Sequence, residues 1–279
     1  MPGLSELAPI VVRAHGTAGG LVVLLHGGPG APGSVADLAT ALADEFRVME
    51  PLQRRSGTVP LTVAQHVADL AAVAPATTTL VGWSWGAMLA LSFAARHPRR
   101  VRALALVGCG TYDELSRATF EHAMGERLGA AGRARLETLR ARLEHEGDPR
   151  QRVALFGKVA ALAGAAQAYE PDGPALEPDG PALEPDPRGH EETWSDVLRL
   201  QAEGIEPPAF AAIRVPVLML HGDEDPHPGP ATRDLLRRFM PQLEFISFRQ
   251  CGHTPWRERR AREAFLAALG GWLRVVVGA

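Results

Sequence analysis

Short aliphatic runs alternate along most of this chain with longer segments of helical periodicity, and that alternation restricts its fold more than any other feature. Leu21–Leu25, Arg47–Glu50, Thr79–Trp83, Val101–Val107, Val215–Leu220 and Leu243–Phe248 read as strands. Val35–Leu42, Val63–Val73, Trp85–Arg96, Thr232–Phe239 and Glu258–Leu273 read as helices, with Ser34 and Thr62 placed to cap the first two. Runs without polar alternation are buried on both faces, which predicts a mostly parallel sheet flanked by helices.

The alternation stops between Val107 and Val215. Leu115–Leu128, Arg133–Glu144, Arg150–Ala168 and Glu191–Glu203 have helical patterns, and no strand is evident among them. The expected organisation is a core made of residues 1–111 and 205–279, with residues 112–204 inserted as a helical cap. Inside the insert Glu-Pro-Asp-Gly-Pro-Ala-Leu occurs at Glu170–Leu176 and again at Glu177–Leu183, followed by a broken copy at Glu184–Pro187. Its prolines and Asp-Gly steps oppose helix and strand alike, so residues 170–187 are expected to form an extended or mobile acidic loop.

Composition removes several function classes. A net charge of −3 over 279 residues gives no basic footprint for nucleic acid or an anionic membrane. No apolar stretch is long enough to span a bilayer, and Met1–Ile10 lacks the pattern of a signal peptide. Two distant cysteines, Cys109 and Cys251, make no disulfide framework, so a cytoplasmic setting is expected. No histidine spacing suggests a metal, and no glycine-rich phosphate loop with its lysine occurs. Neither cofactor nor metal is expected.

The chemistry gathers at the strand ends. Gly82-Trp83-Ser84-Trp85-Gly86 follows an apolar strand and opens a helix, the setting in which G-x-S-x-G lifts a serine hydroxyl clear of a sheet. Ser84 is the candidate nucleophile. The Trp85 N–H, at the start of a helix, can face a developing oxyanion. His26-Gly27-Gly28-Pro29-Gly30 ends another strand, and Gly28 is the expected second oxyanion donor. His26 is expected to brace its loop.

A serine hydroxyl needs a base, and the base an acid that fixes its tautomer. His253, in Cys251-Gly252-His253 beyond a strand, is the candidate base. The loop Gly222-Asp223-Glu224-Asp225-Pro226 supplies the acid. Asp225 reaches furthest from its strand and is preferred, with Asp223 the alternative. His227 is read as incidental, and Cys251 as a structural thiol.

Together these residues resemble the α/β-hydrolase superfamily over nearly the whole chain. His26–Gly30 paired with Ser84-Trp85-Gly86 is similar to the proline iminopeptidase group, as are the His221-Gly222-x-x-Asp225 and Cys251-Gly252-His253 segments. The resemblance implies an α/β-hydrolase fold with a helical cap and a Ser-His-Asp acyl transferase to water. The chain departs from that group at Glu50–Gly57, where Gln53-Arg54 and Gly57 alone match its Asp-Gln-Arg-Gly segment, and at Ala87, where glycine is usual. That group holds a substrate amine with cap carboxylates. Glu114, Glu121, Glu191 and Glu192 are available here and read as solvated helix-face charges. The expected substrate is therefore a small ester or a short peptide with an N-terminal residue to release. The alternative is a catalytically silent protein that kept the fold for binding.

Overall fold

In a computed structural model describing residues 8–172 and 183–278, the chain forms one seven-stranded sheet with helices on both faces. The strands are β1 (Val12–His15), β2 (Leu21–Leu25), β3 (Arg47–Pro51), β4 (Thr78–Trp83), β5 (Val101–Val107), β6 (Val217–Gly222) and β7 (Leu243–Phe248). Their order across the sheet is β1-β3-β2-β4-β5-β6-β7. Only β1 runs antiparallel, pairing with β3.

The inner strands β2, β4, β5 and β6 are buried on both sides, as their aliphatic runs require. Val23, Leu25, Leu80, Leu104, Leu106 and Met219 face one way, against α2 (Val63–Val73), α3 (Trp85–Arg96) and α7 (Gly229–Arg237). Val22, Leu24, Val81, Ala105, Val107 and Leu220 face the other, against α1 (Ala36–Leu42) and Phe265, Leu269 and Leu273 of α8 (Arg262–Val277). Register then aligns the strand ends: Leu25 pairs with Gly82, Trp83 with Val107, and Gly222 with Phe248. Every loop carrying a candidate site residue leaves from this carboxyl edge, where open α/β sheets bind ligands.

Between β5 and β6 stand α4 (Glu114–His145), α5 (Pro149–Gln167) and α6 (Pro187–Ala202). The two helices expected over 115–144 run together as α4 and break at Gly129, whose φ of 61° interrupts the helical path. Helix α6 starts earlier than expected. Asp186 caps it and Pro187 occupies its first turn, where the missing N–H costs nothing, so the broken third repeat opens a helix instead of opposing one. Most of the repeat, residues 173–182, lies outside the described residues. The expected Thr62 cap accepts from the Gln65 N–H. Ser34 caps nothing: α1 begins one residue later than expected, with Val35 as its N-cap, and the Ser34 hydroxyl is buried without a partner. Strand β1 was not expected.

The insert is fastened to the loop after β7 by one carboxylate. Glu258, buried, accepts from the N–H groups of Tyr169 (2.8 Å), Glu170 (2.6 Å) and Gly252 (3.1 Å). Gln167 O accepts the His253 N–H at 3.0 Å, and Glu170 O the Arg259 N–H at 2.9 Å. Removing the carboxylate strands buried donors. Glu258→Ala is expected to destabilise the fold by about 3 kcal/mol, and Glu258→Gln by less, in denaturant titrations.

Candidate active site

Ser84 stands at the sharp turn between β4 and α3. Its φ of 54° is a left-handed conformation that a non-glycine residue adopts only under constraint. The constraint is visible around it: the Ser84 N–H donates to Val107 O at 2.8 Å, and Ser84 O accepts from the Ala87 N–H at 3.0 Å. Close backbone approach demands glycine on both sides of the turn. A Cβ on Gly82 would lie 2.2 Å from Gly86 O, and one on Gly86 2.3 Å from Leu25 O. The hydroxyl makes no bond to its own helix, and the residue is half-buried. The Trp85 and Gly86 N–H groups fall in the first turn of α3, where no intrahelical acceptor exists. The Trp85 side chain is packed in the core and donates from Nε1 to Gln53 Oε1 at 2.7 Å.

The His26–Gly30 loop lies beside the serine. His26 Nδ1 donates to Gly27 O at 2.9 Å, while its Nε2 accepts the Gln53 N–H at 3.0 Å. Gln53 Nε2 donates back to His26 O at 2.9 Å. His26 therefore braces its loop as a neutral ring, and burial lowers its pKa to about 4. Gly27 comes closest to Ser84: a Cβ there would be 3.3 Å from the Ser84 Cβ. Gly28, at φ 117°, turns the face a Cβ would occupy toward the N–H groups of Gly30 and Ala31. Helix α6 holds the far side of this loop, through His190 Nδ1 to Pro29 O and the Asp186 N–H to Gly30 O, both 2.9 Å. The Asp186 carboxylate in turn accepts from the Ser56 hydroxyl at 2.8 Å and the Ser56 N–H at 2.5 Å.

Asp225 and His253 meet. Asp225 Oδ2 accepts from His253 Nδ1 at 2.7 Å, and both residues are buried. Asp223 is exposed and makes no hydrogen bond to His253 among the described residues. Burial alone would push the Asp225 carboxyl up, but the imidazoles of His253, His227 and His221 outweigh it and hold the group well below the usual carboxylate range. The Nδ1 bond leaves Nε2 of His253 as the unprotonated nitrogen. Its ring packs 5.3 Å from the Trp83 ring, and Trp83 Nε1 donates to His253 O at 3.0 Å. Across the same gap, a Cβ on Gly108 would come 3.0 Å from His253 Nδ1. Trp83, just before Ser84, and Gly108, just after β5, thus both lie against His253, and no hydrogen bond joins Ser84 Oγ to the ring among the described residues.

Two features escaped the sequence reading. His227 Nδ1 and N–H both reach Asp225 Oδ1 at 2.9 Å, so His227 is not incidental. Glu192 is not a solvated charge: its Oε2 accepts the Leu61 N–H at 2.8 Å, docking α6 on the start of α2. A Pro-His pair after the acid was the available signal for the first. The second had none, because its partner is a backbone group far away in sequence.

Asp225, His227 and His253 are also the one group with metal-ligand atoms close together among the described residues. Adjacent ligands on a tetrahedral zinc stand about 3.3 Å apart, given metal–nitrogen bonds of about 2.0–2.1 Å. The separations here, 2.7 and 2.9 Å, are those of N–H···O hydrogen bonds, so protons fit these positions better than an ion. Cys109 and Cys251 are both buried, and burial raises both thiols, Cys109 to about 12, which makes them inert.

Comparison with known proteins agrees with the fold. The family model described as alpha/beta hydrolase fold matches residues 65–256, more than half of the chain. The chain belongs to the alpha/beta hydrolase fold family. The hydrolase is 43% identical over 90 residues to a pimeloyl-[acyl-carrier protein] methyl ester esterase of Chromobacterium violaceum, a match spanning about a third of each chain (31% and 35%). It is 27% identical over 249 residues to the esterase of the same name from Aromatoleum aromaticum, covering 84% of this chain and 91% of that one. A proline iminopeptidase of Neisseria gonorrhoeae is 34% identical over 117 residues, 38% of either chain. A thermophilic esterase from Thermogutta terrifontis superposes over 96% of the hydrolase and 94% of its own chain, with a TM-score of 0.61 at 22% identity. No helix among the described residues is long and apolar enough to cross a membrane.

Several histidines of the hydrolase fold as neutral rings, and that gives its stability a direction with pH. Burial lowers His26 and His66 from 6.5 to about 4. Below pH 6.5 the unfolded chain takes up protons that the fold refuses, so stability falls as pH drops through the window from 6.5 to about 4. Each ring contributes on the order of 3 kcal/mol to that loss. Denaturant titrations at pH 7 and 4.5 are expected to show a large fall, smaller in His66→Gln. Equal stabilities would contradict the assignment of neutral buried rings.

Proposed function

We propose that this hydrolase cleaves a small carboxylic ester through an acyl-enzyme on Ser84, with His253 as general base and Asp225 as the acid that orients it. The observation that carries the reading is the 2.7 Å bond from His253 Nδ1 to Asp225, which fixes the tautomer and leaves Nε2 free in a ring packed against Trp83, the residue before the strained turn at Ser84. In this mechanism Nε2 takes the hydroxyl proton as Oγ attacks the carbonyl carbon. The developing oxyanion lies on the N–H groups of Trp85 and Gly28. Collapse expels the alcohol, which leaves with the proton from His253. A water then attacks the acyl-enzyme, again losing its proton to Nε2, and Ser84 is released with the acid product. Residues 112–204 act as a cap that bounds the acyl pocket.

Two observations favour an ester over an N-terminal peptide. Much of the chain aligns with a protein named as a methyl ester esterase, whereas the match to a peptidase is confined to 38% of each chain. An aminopeptidase also needs free carboxylates to hold an ammonium group. Here Asp186, Glu192 and Asp196, the half-buried and buried acids of α6, are each taken up by backbone N–H groups of Ser56, Leu61 and Val63.

Turnover of a short-chain p-nitrophenyl ester, with a proline anilide as comparison, tests the reading. Ester cleavage is expected to dominate. Ser84→Ala is expected to lose at least about 10⁴-fold in kcat while folding normally, and Asp225→Asn a comparable amount. Wild-type rates in Ser84→Ala would overturn the assignment of the nucleophile, and faster anilide cleavage would reassign the substrate. No turnover of either by well-folded protein would favour a silent binding protein.

A further inference from the structure

The acid at this site carries more imidazole than a triad uses. Asp225 Oδ2 takes His253 Nδ1 and lies 3.2 Å from His221 Nε2. Oδ1 takes both the N–H and Nδ1 of His227. His221 Nε2 also meets His227 O at 3.0 Å, tying the backbone of the loop down behind the carboxylate. An ionised carboxylate only accepts, so His227 and His253 both carry their proton on Nδ1 and both turn an unprotonated Nε2 away from Asp225.

The two rings are also stacked. Their centroids are 4.5 Å apart with planes inclined by 24°. The other face of His227 is covered by Phe120 of α4, at 4.2 Å and 28°. Phe120, His227 and His253 therefore form one continuous pile running from the insert to the candidate base. An imidazole suspended by a single N–H···O bond can still swing about that bond, and a reacting atom misplaced by about 1 Å can cost 10²-fold in rate. The pile removes that freedom.

We propose that His227 is a positioning residue for the general base: it shares the Asp225 carboxylate with His253 and, wedged between His253 and Phe120, sets the plane in which the His253 ring presents Nε2 to Ser84. This rests on the triad reading above. It has a second consequence. The Nδ1–H of His227 draws on carboxylate charge that would otherwise serve His253 alone. The titratable groups that act on His227 are Asp225, His253 and His221, while α4 meets it with the Phe120 ring. Burial is the largest influence on His227 and lowers its pKa, so the ring stays neutral and leaves room for a single imidazolium at His253 during turnover.

Two variants separate the stack from the shared acid. His227→Phe keeps an aromatic ring and removes the donor. Its plateau kcat is expected to stay within about threefold of wild type, with the acid limb of kcat/KM displaced to higher pH, since Asp225 then serves His253 alone. His227→Ala removes both and is expected to lose about 10- to 100-fold in kcat with KM changed less than about twofold. Wild-type kcat in folded His227→Ala, or an unmoved acid limb in His227→Phe, would overturn the proposal. Long-range ¹H–¹⁵N spectra of the imidazoles at neutral pH supply a readout that needs no substrate. Wild type is expected to show the Nδ1–H tautomer for both His227 and His253, and His253 shifts that move in His227→Phe. An Nε2–H tautomer at His227, or His253 resonances unmoved in the variant, would overturn it even in a protein that turns over neither ester nor anilide, a result that would separately end the triad reading.

Discussion

A negative charge in the protein interior is the constraint around which the carboxyl edge of this sheet is arranged. Asp225 is buried, and an isolated carboxylate there would be forced to take up a proton. Imidazole donors from His253 and His227, the His227 backbone N–H and the His221 ring 3.2 Å away prevent that, and each of these groups fixes a piece of chain. His253 brings in the loop after β7, His227 closes the turn after β6, and His221 ties the turn to its own strand. The loops after β6 and β7 are thereby one unit. A Cβ on Gly222 would lie 2.1 Å from Cys251 O, so their backbones touch directly behind the acid.

The helical insert grips the site from two sides. At one end Glu258 and the backbone of 167–170 lock the segment after α5 onto the loop that carries His253. At the other, Asp186 and His190 of α6 hold the His26–Gly30 loop, whose inner side is already braced by His26 and Gln53. The insert therefore holds the candidate oxyanion loop and the candidate base at a fixed relation. Its attachments are backbone hydrogen bonds to buried side chains, which tolerate little rearrangement without stranding a polar group.

The parts of this arrangement that follow local rules are legible in the sequence. Leu21–Leu25 and Val101–Val107 have the bounds their aliphatic runs suggest, because both strands are buried almost throughout and end on apolar residues, and the edge strand Leu243–Phe248 keeps its expected bounds although Glu244 and Ser247 are exposed. Ser84 stands between β4 and α3, and the choice of Asp225 over Asp223 as the partner of His253 agrees with a geometry that buries one and exposes the other. Strand β1 was hidden because it is a four-residue edge with mixed exposure and no clean alternation. The start of α6 was obscured by prolines that act as helix breakers inside a helix and as starters at its first turn. The roles of His227, Glu192 and Glu258 depend on partners brought together by the tertiary fold, and spacing along the chain carries no record of those.

The central claim is that one hydroxyl among the chain's many is activated by the His253–Asp225 pair. Treatment with a fluorophosphonate, followed by peptide mapping in the mass spectrometer, tests it most directly. A single adduct on the peptide containing Ser84, formed rapidly by wild type and far more slowly by His253→Ala, is the predicted result. An adduct elsewhere, or labelling of Ser84 at an undiminished rate without the imidazole, would contradict the account.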